Sequence, residues 1–501
     1  MKLTDLLLGV ALHATTAAAQ DAPAATPPNV ILVAMDTTRA DHLGAYGYAR
    51  DTSPNLDSFA REAVLFERCF SQSNETLTSF ASAFTSRLPS DLAPLSYELF
   101  RVPDDVHTLP GVLQLHDYQT GGFVAGGHMV SAFGHDRGFD VYQDRWHFGS
   151  FFHTVPPALA WVDQRERERP FFLFVHGYDA HSPYAKPLYF EHLFDPDYEG
   201  LADKILEAPT PIAIEKVWHG RFYRQVTREQ VSHAVGESQL NVLHTDLFSL
   251  LALLDPRTGV PLSPRDLEHV VAHYDGSIAY ADVQLGLLMT ELDERGLLES
   301  SVVIVMGDHG EDLFEHGHAN HRISLHDASG HVPLLVRFPG GEHGGQRIST
   351  PVELLDIMPT VLELVGAMTP AGIRGHSLLP LVIDGKDPTR GSASISEGIL
   401  PMASARSDTH RLILAGSLPG SPTFMQALSD AHLDDPAFSL FRVGPGVEQR
   451  LDLSDPASQE QAVALIDAMR QAYADRPRSG DIEPPYLDPT LIQLMRDKGY
   501  W

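Results

Sequence analysis

The chain contains very little cysteine: Cys69 is the single one among 501 residues. One cysteine excludes an intramolecular disulfide and any zinc site built from several thiolates. Because Cys69 lies in the apolar segment VLFERCF, we expect it to be a small buried hydrophobic residue. Any metal site in this chain must therefore use other ligands.

Positive charge is also scarce. The sequence has 36 Lys and Arg against 66 Asp and Glu, which gives a formal net charge of −30. This balance argues against nucleic acid or an acidic membrane surface as the main partner. A small anionic substrate would need a local positive site, such as a metal ion, to overcome the surrounding negative field.

The N-terminal region has no apolar run long enough to span a bilayer, since its apolar core LLLGVAL covers only residues 6–12. One positive charge precedes this core in MKL, and the small residues of TTAAAQ follow it. The pattern predicts an export signal over residues 1–19, a flexible leader over residues 20–28, and a periplasmic or secreted mature chain without an integral membrane segment. The alternative is a disordered, alanine-rich N-terminus.

The length and the order of apolar segments predict an α/β protein with two packed units, or one large domain with an appendage. Continuous apolar runs in NVILVAM, PFFLFVHG and SVVIVM are typical of buried parallel strands. They alternate with helical patterns, one of them predicted near residues 158–164. The stretch from about 189 to 264 breaks this alternation, and we interpret it as an insertion that either shapes the substrate entrance or is peripheral. Residues 383–501 are expected to form a C-terminal subdomain of short strands ending in a helix.

Ligand-type side chains follow three of the predicted strands. Asp36, His181, Asp308 and His309 each come just after such a strand, where ligand sites collect in open parallel sheets. Two carboxylates and an imidazole can hold a divalent cation, and the imidazole favours zinc or manganese over calcium. A single Asp at a strand end is more often a turn or cap residue, so this prediction rests on the three strand ends taken together.

Five blocks resemble the successive blocks of the sulfatases, within the alkaline phosphatase superfamily. They are NVILVAMDTTRADHLGAYGY, TSPNLDSFAREAVLF, FFLFVHGYDAHSPY, VMGDHGEDLFEHG and DIMPTVLELVG, and the terminal LMRDKGYW is similar to the usual family ending. The resemblance implies an alkaline phosphatase-like sandwich with a large, mainly parallel central sheet. It places a catalytic domain at residues 29–382 and a smaller C-terminal α+β subdomain at residues 383–501.

The resemblance also implies roles for single residues. Asp36, Asp308 and His309 would be metal ligands, and His181 would lie beside the leaving group or the transferred group. His321 stands where the family has a basic residue that contacts the anion. His128, in GGHMV, matches another active-site histidine of the family.

The segment TLTSF departs from the family pattern. Thr76 stands where sulfatases have the Cys or Ser that becomes formylglycine, and Phe80 stands where they have an Arg. Thr37 replaces a second acidic residue. Because the β-carbon of threonine carries a methyl group, Thr76 cannot yield formylglycine, and none is expected.

Thr76 remains a chemically sensible nucleophile, because phosphodiesterases and phosphoethanolamine or phosphoglycerol transferases of the same superfamily use threonine. The implied metal set is then Asp36, Thr76, Asp308 and His309, around one divalent ion, with zinc or manganese favoured and calcium as the remaining candidate. We expect a metal-dependent hydrolase of sulfate or phosphate esters, with phosphoester chemistry favoured and an anionic small molecule or glycan ester as substrate.

Three alternatives stay open. Thr76 could be a plain helix N-cap. The protein could be an aryl or carbohydrate sulfatase that works without formylglycine. It could also be a non-catalytic, sulfatase-like binding protein, which Phe80 and Thr37 favour.

Overall fold

The computed structural model describes most of the chain between residues 27 and 474. The described residues are 27–92, 100–146, 148–182, 184, 187–200, 263–316, 319–322, 324–386, 391, 393–444 and 447–474. The predicted export signal, the leader up to residue 26, residues 201–262 of the predicted insertion and the predicted terminal helix lie outside this range. Among the described helices, none has the length and apolar character needed to cross a membrane.

The described strands are numbered in chain order. They are β1 (Asn29–Met35), β2 (Val64–Phe66), β3 (Cys69–Phe70), β4 (Gln119–Phe123), β5 (Val141–Gln143), β6 (Phe171–Gly177), β7 (Ser301–Met306), β8 (Asp312–Leu313), β9 (Ala319–Asn320), β10 (His331–Val332), β11 (Leu334–Arg337), β12 (Arg347–Ile348), β13 (Val352–Glu353), β14 (Ser394–Glu397), β15 (Met402–Arg406), β16 (His410–Ala415), β17 (Phe438–Gly444) and β18 (Val447–Arg450).

The described α-helices are numbered in the same way. They are α1 (Pro54–Ala60), α2 (Thr76–Thr85), α3 (Pro89–Leu92), α4 (Leu109–Leu115), α5 (Phe151–Gln164), α6 (Leu188–Glu191), α7 (Pro264–Glu294), α8 (Asp327–Gly330), α9 (Ile357–Leu364), α10 (Leu379–Asp384), α11 (Pro422–Ser429) and α12 (Pro456–Ala474).

A central sheet of 8 strands has the order β12-β2-β11-β7-β1-β6-β4-β5. All its pairings are parallel except those of β11, which runs antiparallel to β7 and to β2. β1 lies between β6 and β7, with Val30 opposite Phe172 on one side and Val302 on the other. The prediction of a mainly parallel sheet is confirmed, and the apolar runs arise because these middle strands are buried on both faces.

Alternate residues of the middle strands enter two separate cores. Val30, Leu32 and Ala34 pack towards α2, α4, α9 and α10. Ile31 and Val33 pack towards α1, α5 and α7 on the opposite face. The two-residue period of a strand thus makes one sheet the middle layer of an α/β sandwich.

Helix α5 is longer than the predicted helix near residues 158–164, because it begins at Phe151 and contains Pro156 and Pro157 in its interior. Proline removes a backbone donor and normally ends a helical pattern, which is why the sequence indicated only the second half. The first half is held by tertiary contacts, since Val155 and Phe151 are buried against the sheet and Phe151 N donates to Asp179 Oδ2 at 2.9 Å.

A second, antiparallel sheet of 5 strands follows in the order β14-β15-β16-β17-β18. Helices α11 and α12 pack on it, and Leu88 and Leu355 from the first part of the chain join its core. The predicted boundary at residue 382 falls inside α10, and the division into domains stays a prediction. Helix α12 was not predicted. Cys69 is completely buried in β3, as its apolar context indicated.

Candidate active site

The metal-type residues lie where two adjacent parallel strands end. Asp36 follows β1, and Asp308 and His309 follow β7, its neighbour in the sheet. One ligand atom from each of the three residues lies within 4.8 Å of the others, and all three side chains are completely buried. Pairing of the two strands therefore brings together residues that are far apart in sequence, at the sheet edge where the prediction placed them.

The two carboxylates are only partly satisfied by the protein. Asp308 Oδ1 accepts hydrogen bonds from the backbone N–H of Thr37 at 3.0 Å and of His309 at 2.8 Å. Asp36 Oδ1 and Asp308 Oδ2 are buried and have no hydrogen-bond partner among the described residues. Burial and the nearby charge of Asp308 raise the pKa of Asp36 well above its ordinary value, and burial also raises the pKa of Asp308.

This donor set fits a divalent cation. Two orphaned carboxylate oxygens beside an imidazole would each gain a partner, and a positive ion would remove the repulsion between the carboxylates. Asp36, Asp308 and His309 would hold the ion. Their mixture of oxygen and nitrogen ligands is one that zinc and manganese accept.

Thr76 lies directly against this cluster. Its Oγ1 donates to Asp36 Oδ2 at 3.2 Å and lies 3.2 Å from His309 Nε2. Thr76 is the first residue of α2, and the N-cap is Glu75, whose Oε2 accepts a hydrogen bond from Leu77 N at 2.9 Å. The alternative that Thr76 is a plain N-cap is therefore wrong: Glu75 has that role, which leaves the Thr76 hydroxyl to face the carboxylates.

Ser79 fixes the position of α2 on the site. One turn after Thr76, its Oγ donates to the backbone oxygen of Asp308 at 2.7 Å. The hydroxyl-rich sequence of this helix looks like a solvated segment, yet all ten of its residues are buried. The Ser79 hydroxyl instead holds the first turn of the helix against Asp308, just after β7.

Thr37 serves the site through its backbone. It has a φ of 51°, which is unusual for a β-branched residue, and this turn points its N–H at Asp308 Oδ1. Its carbonyl accepts a hydrogen bond from the Tyr274 hydroxyl at 2.7 Å, and its own hydroxyl bonds the carbonyl of Asp36 at 2.8 Å. Surrounding contacts thus hold a strained backbone in place, as is common at functional sites. The side chain provides no second carboxylate.

Two of the predicted histidines lie beside the cluster. The His321 ring is 4.5 Å from the His309 ring and 5.1 Å from the His181 ring, measured between centroids. His321 Nδ1 lies 3.2 Å from Glu311 Oε1, and His181 Nδ1 lies 2.5 Å from the carbonyl oxygen of Ser182. Burial lowers the pKa of both imidazoles, so both are neutral near pH 7. In each ring Nδ1 is occupied by this partner, so Nε2 is the nitrogen that can contact a bound group.

His128 belongs to a group that sequence reasoning largely missed. Its Nδ1 is paired with Glu75 Oε1, and Arg322 Nη2 donates to the same oxygen at 3.1 Å. The Arg322 side chain is 35% exposed, and its charge also lowers the pKa of His181 and His321. Arg322 and Glu75 are next to His321 and Thr76 in the sequence. This adjacency was the only available sign that they belong to the site.

His176 was missed as well. It lies within β6, and its Nε2 is 3.1 Å from Asp36 Oδ2. Burial lowers the pKa of His176 to about 3, so the ring is neutral when it contacts the carboxylate. Strand β6 reads as a continuous apolar run, and a single histidine inside it gives no sign that its ring supports Asp36.

Phe80 stands in place of the expected Arg, and its ring belongs to an aromatic cluster. Its ring lies 5.2 Å from the His176 ring, 5.6 Å from Phe174 and 6.1 Å from Phe84. The residue is fully buried. The cation that the family has at this position is replaced here by part of the core.

Introducing the family's arginine at position 80 should therefore destabilise the folded protein. We expect Phe80→Arg to lower the free energy of unfolding by about 3–5 kcal/mol, because a buried guanidinium would lie among aromatic rings. Chemical denaturation would measure the loss, and Phe80→Leu is the control that keeps the site apolar. A Phe80→Arg protein as stable as Phe80→Leu would show that the pocket can accept a cation.

The fold and the site together define a class of protein, the alkaline phosphatase-like α/β sandwiches with a metal-type ligand set at the sheet edge. The solved phosphonate monoester hydrolase of Agrobacterium radiobacter has this fold, with a TM-score of 0.67, 17% identity and coverage of 90% of this chain and 96% of its own. A structure solved in complex with its substrate D-glucosamine-2-N,6-O-disulfate has a TM-score of 0.66 and 17% identity, over 90% of this chain and 99% of its own.

Within that class the family is established by sequence. Residues 28–367 match the family model described as Sulfatase, so the chain belongs to the sulfatase family. Arylsulfatase K of Xenopus laevis is 28% identical over 275 residues, which are 54% of this chain. The match spans 45% of that relative's own length.

Proposed function

We propose that this protein is an exported, metal-dependent ester hydrolase that attacks sulfate or phosphate esters with Thr76. The observation that carries the proposal is the position of the Thr76 hydroxyl, 3.2 Å from both Asp36 Oδ2 and His309 Nε2. A nucleophile within hydrogen-bond reach of a carboxylate and an imidazole that are themselves fixed is the arrangement that covalent catalysis requires. Export is proposed from the N-terminal sequence pattern.

Each residue of the site then has a defined task. Asp36 Oδ2 orients the Thr76 hydroxyl, and Ser79 holds the helix end that presents it. Thr76 Oγ1 gives its proton to Asp36 Oδ2, to which it already donates a hydrogen bond, and attacks the sulfur or phosphorus in line. The new bond from Oγ1 forms as the bond to the leaving oxygen breaks. A divalent cation held by Asp36, Asp308 and His309 would supply Lewis-acid charge to the threonine oxygen and the transferred group.

The leaving oxygen needs a proton, and His181 or His321 can deliver it. Both rings are neutral in the absence of an anion, with Nδ1 occupied by Ser182 or Glu311. A bound anionic ester raises the pKa of a neighbouring imidazole, so Nε2 of either ring becomes able to carry the proton. Water, or a second alcohol, then releases the transferred group from Thr76.

Threonine favours phosphoester over sulfate chemistry. A formylglycine hydrate expels sulfate by collapsing to the aldehyde, and a threonine sulfate ester has no such exit. A phosphoryl group on threonine can be displaced by water attacking phosphorus. We therefore propose an anionic phosphoester as the preferred substrate, either a small molecule or a glycan derivative, with zinc or manganese as the metal.

Intact mass spectrometry tests nucleophile and chemistry together. The metal-loaded protein is incubated with bis(4-nitrophenyl) phosphate or with 4-nitrophenyl sulfate, and the adduct is mapped by peptide analysis. We expect turnover of the phosphodiester, with loss of one 4-nitrophenol and a 4-nitrophenyl phosphoryl adduct on Thr76. Faster turnover of the sulfate ester would instead identify a sulfatase that works without formylglycine.

A binding protein is the second candidate, because Phe80 has replaced the family's cation with apolar core. Metal-loaded protein that turns over no ester in a broad panel of sulfates, phosphomonoesters and phosphodiesters would support this candidate. The buried contact between Thr76 and Asp36 favours the enzyme.

Arg322 offers the site a positive charge that does not depend on the metal. We expect Arg322→Ala to lower kcat/KM for the preferred anionic ester by about 10–100-fold, the loss of one charged hydrogen bond. Steady-state kinetics would measure it, with Arg322→Lys retaining part of the activity because it keeps the charge. The control is Arg295→Ala, which removes a similarly exposed arginine paired with Asp163. Equal kcat/KM for the two alanine variants would exclude a role for Arg322 in binding the anion.

A further inference from the structure

Three histidines away from the Thr76 cluster lie close together. His269 and His273 are four residues apart on α7 and therefore share one face of that helix, and His192 follows α6. One ring nitrogen from each lies within 4.8 Å of the others. His269 and His273 are almost completely buried, and His192 is partly buried. We call this group the histidine cluster.

A carboxylate orients the central ring of the histidine cluster. His269 Nδ1 lies 2.7 Å from Asp195 Oδ2, and Arg265 donates to both oxygens of Asp195. An Nδ1–H that donates to a carboxylate leaves Nε2 as the basic nitrogen. This pairing of carboxylate and histidine is the usual support of a metal-binding imidazole.

The basic nitrogen of His269 is turned towards His273. The two Nε2 atoms are 2.9 Å apart. Two ligands of a tetrahedral zinc ion at 2.0–2.1 Å lie about 3.3 Å apart, so insertion of an ion needs the rings to separate by only a few tenths of an ångström. The Tyr198 ring stacks on His269 at 3.7 Å between centroids and further fixes its plane.

A hydrogen bond between His269 and His273 explains only part of this arrangement. It would account for two of the three rings, but not for the third imidazole, which has a nitrogen within 4.8 Å of the other two, nor for the carboxylate behind the first. Coordination requires the proton of His273 to sit on Nδ1, so that Nε2 faces the ion in place of the hydrogen bond to His269. Imidazole ligands suit zinc and neighbouring transition metals, and do not suit calcium or magnesium.

We propose that His192, His269 and His273 form a second metal site, for zinc or a transition metal of similar ligand preference. Its ligands come from both sides of residues 201–262, so a bound ion would join the chain before this segment to the chain after it. The role is structural: metal binding stabilises the folded protein because the unfolded chain lacks the preformed site. This proposal does not depend on the proposed function.

The test uses the full chain with Asp36 and Asp308 both replaced by Asn, so that the first cluster no longer contributes carboxylates. After removal of metal with a chelator, zinc is added, unbound zinc is removed by gel filtration, and the bound metal and the Tm are measured. We expect about one equivalent of zinc per chain and a higher Tm with zinc. Absence of bound zinc in this background would overturn the proposal.

Further substitutions in the same background identify the ligands. His273→Gln and His192→Gln should each abolish the bound zinc and the zinc-dependent rise in Tm. Asp195→Asn should weaken zinc binding by about 10–100-fold, an effect that loss of a purely structural contact would not produce. His107→Gln, at an exposed histidine, is the matched control and should bind zinc like its parent.

The partly buried His192 keeps the test decisive even if the buried His273→Gln variant fails to fold. Zinc retained by folded His192→Gln with unchanged affinity would overturn the assignment of ligands. None of these measurements uses enzymatic activity, so their outcome is separate from the success or failure of the proposed function.

Discussion

Replacing Thr76 by alanine should reduce kcat for the preferred ester by about 10⁴–10⁶-fold, the loss expected when a covalent nucleophile is removed. The reason is geometric as well as chemical. Among the hydroxyls of α2, that of Thr76 is the one within hydrogen-bond distance of both Asp36 and His309, so its neighbours cannot replace it without moving the helix. Single-turnover kinetics together with intact mass would show that both the product burst and the covalent adduct are lost.

Two matched variants separate loss of the nucleophile from damage to the helix. Thr76→Ser keeps an oxygen at the same carbon and should retain measurable turnover, with the adduct now on serine. Thr85→Ala removes a buried threonine hydroxyl from the other end of α2, where it bonds the carbonyl of Ala81 at 2.6 Å. It should leave kcat within a few-fold of wild type. If Thr76→Ala keeps activity similar to that of Thr85→Ala, Thr76 is not the nucleophile.

The parts of this site that could be predicted are those fixed by the backbone. Asp36, Asp308 and His309 follow long apolar strands, and adjacent parallel strands must end at the same edge of their sheet. Because continuous apolar strands are readable in the sequence, the meeting of these three side chains was predictable. The same argument gave the mainly parallel sheet, since strands buried on both faces cannot hide their continuous apolar character.

The parts that could not be predicted depend on contacts between side chains. His176 sits inside an apolar strand, and only the packing of β6 beside β1 brings its ring to Asp36. Glu75 and Arg322 meet across 247 positions of sequence through one ion pair. Helix α5 keeps Pro156 and Pro157 because its apolar face is buried on the sheet, an outcome that local propensity argues against. In each case tertiary packing decided an outcome that local sequence could not indicate.

Replacing Asp308 by asparagine should have opposite effects on stability and function. The amide oxygen can still accept the hydrogen bonds from Thr37 N and His309 N, so the local backbone is retained and the change removes the charge. Without the ion, the variant should unfold at a higher temperature than metal-free wild type, because one of two facing buried carboxylates is gone. Activity should fall by about 10³-fold or more, since several kcal/mol of charge stabilisation depend on the bound metal.

The order of stability of wild type and Asp308→Asn should reverse when metal is added. Wild type gains stability as the ion binds the folded state, by about 2.7 kcal/mol at a metal concentration 100 times the Kd, and Asp308→Asn should gain much less from this site. Thermal unfolding with and without zinc or manganese would show this reversal in the unfolding temperatures. Metal analysis would show that Asp308→Asn binds one equivalent of metal less than wild type. The control is Asp282→Asn, at a buried carboxylate that instead accepts the N–H groups of Asn55 and Leu56 at the start of α1. Metal content in Asp308→Asn equal to that in Asp282→Asn would exclude Asp308 as a ligand, and with it the Lewis-acid step on which attack by Thr76 depends.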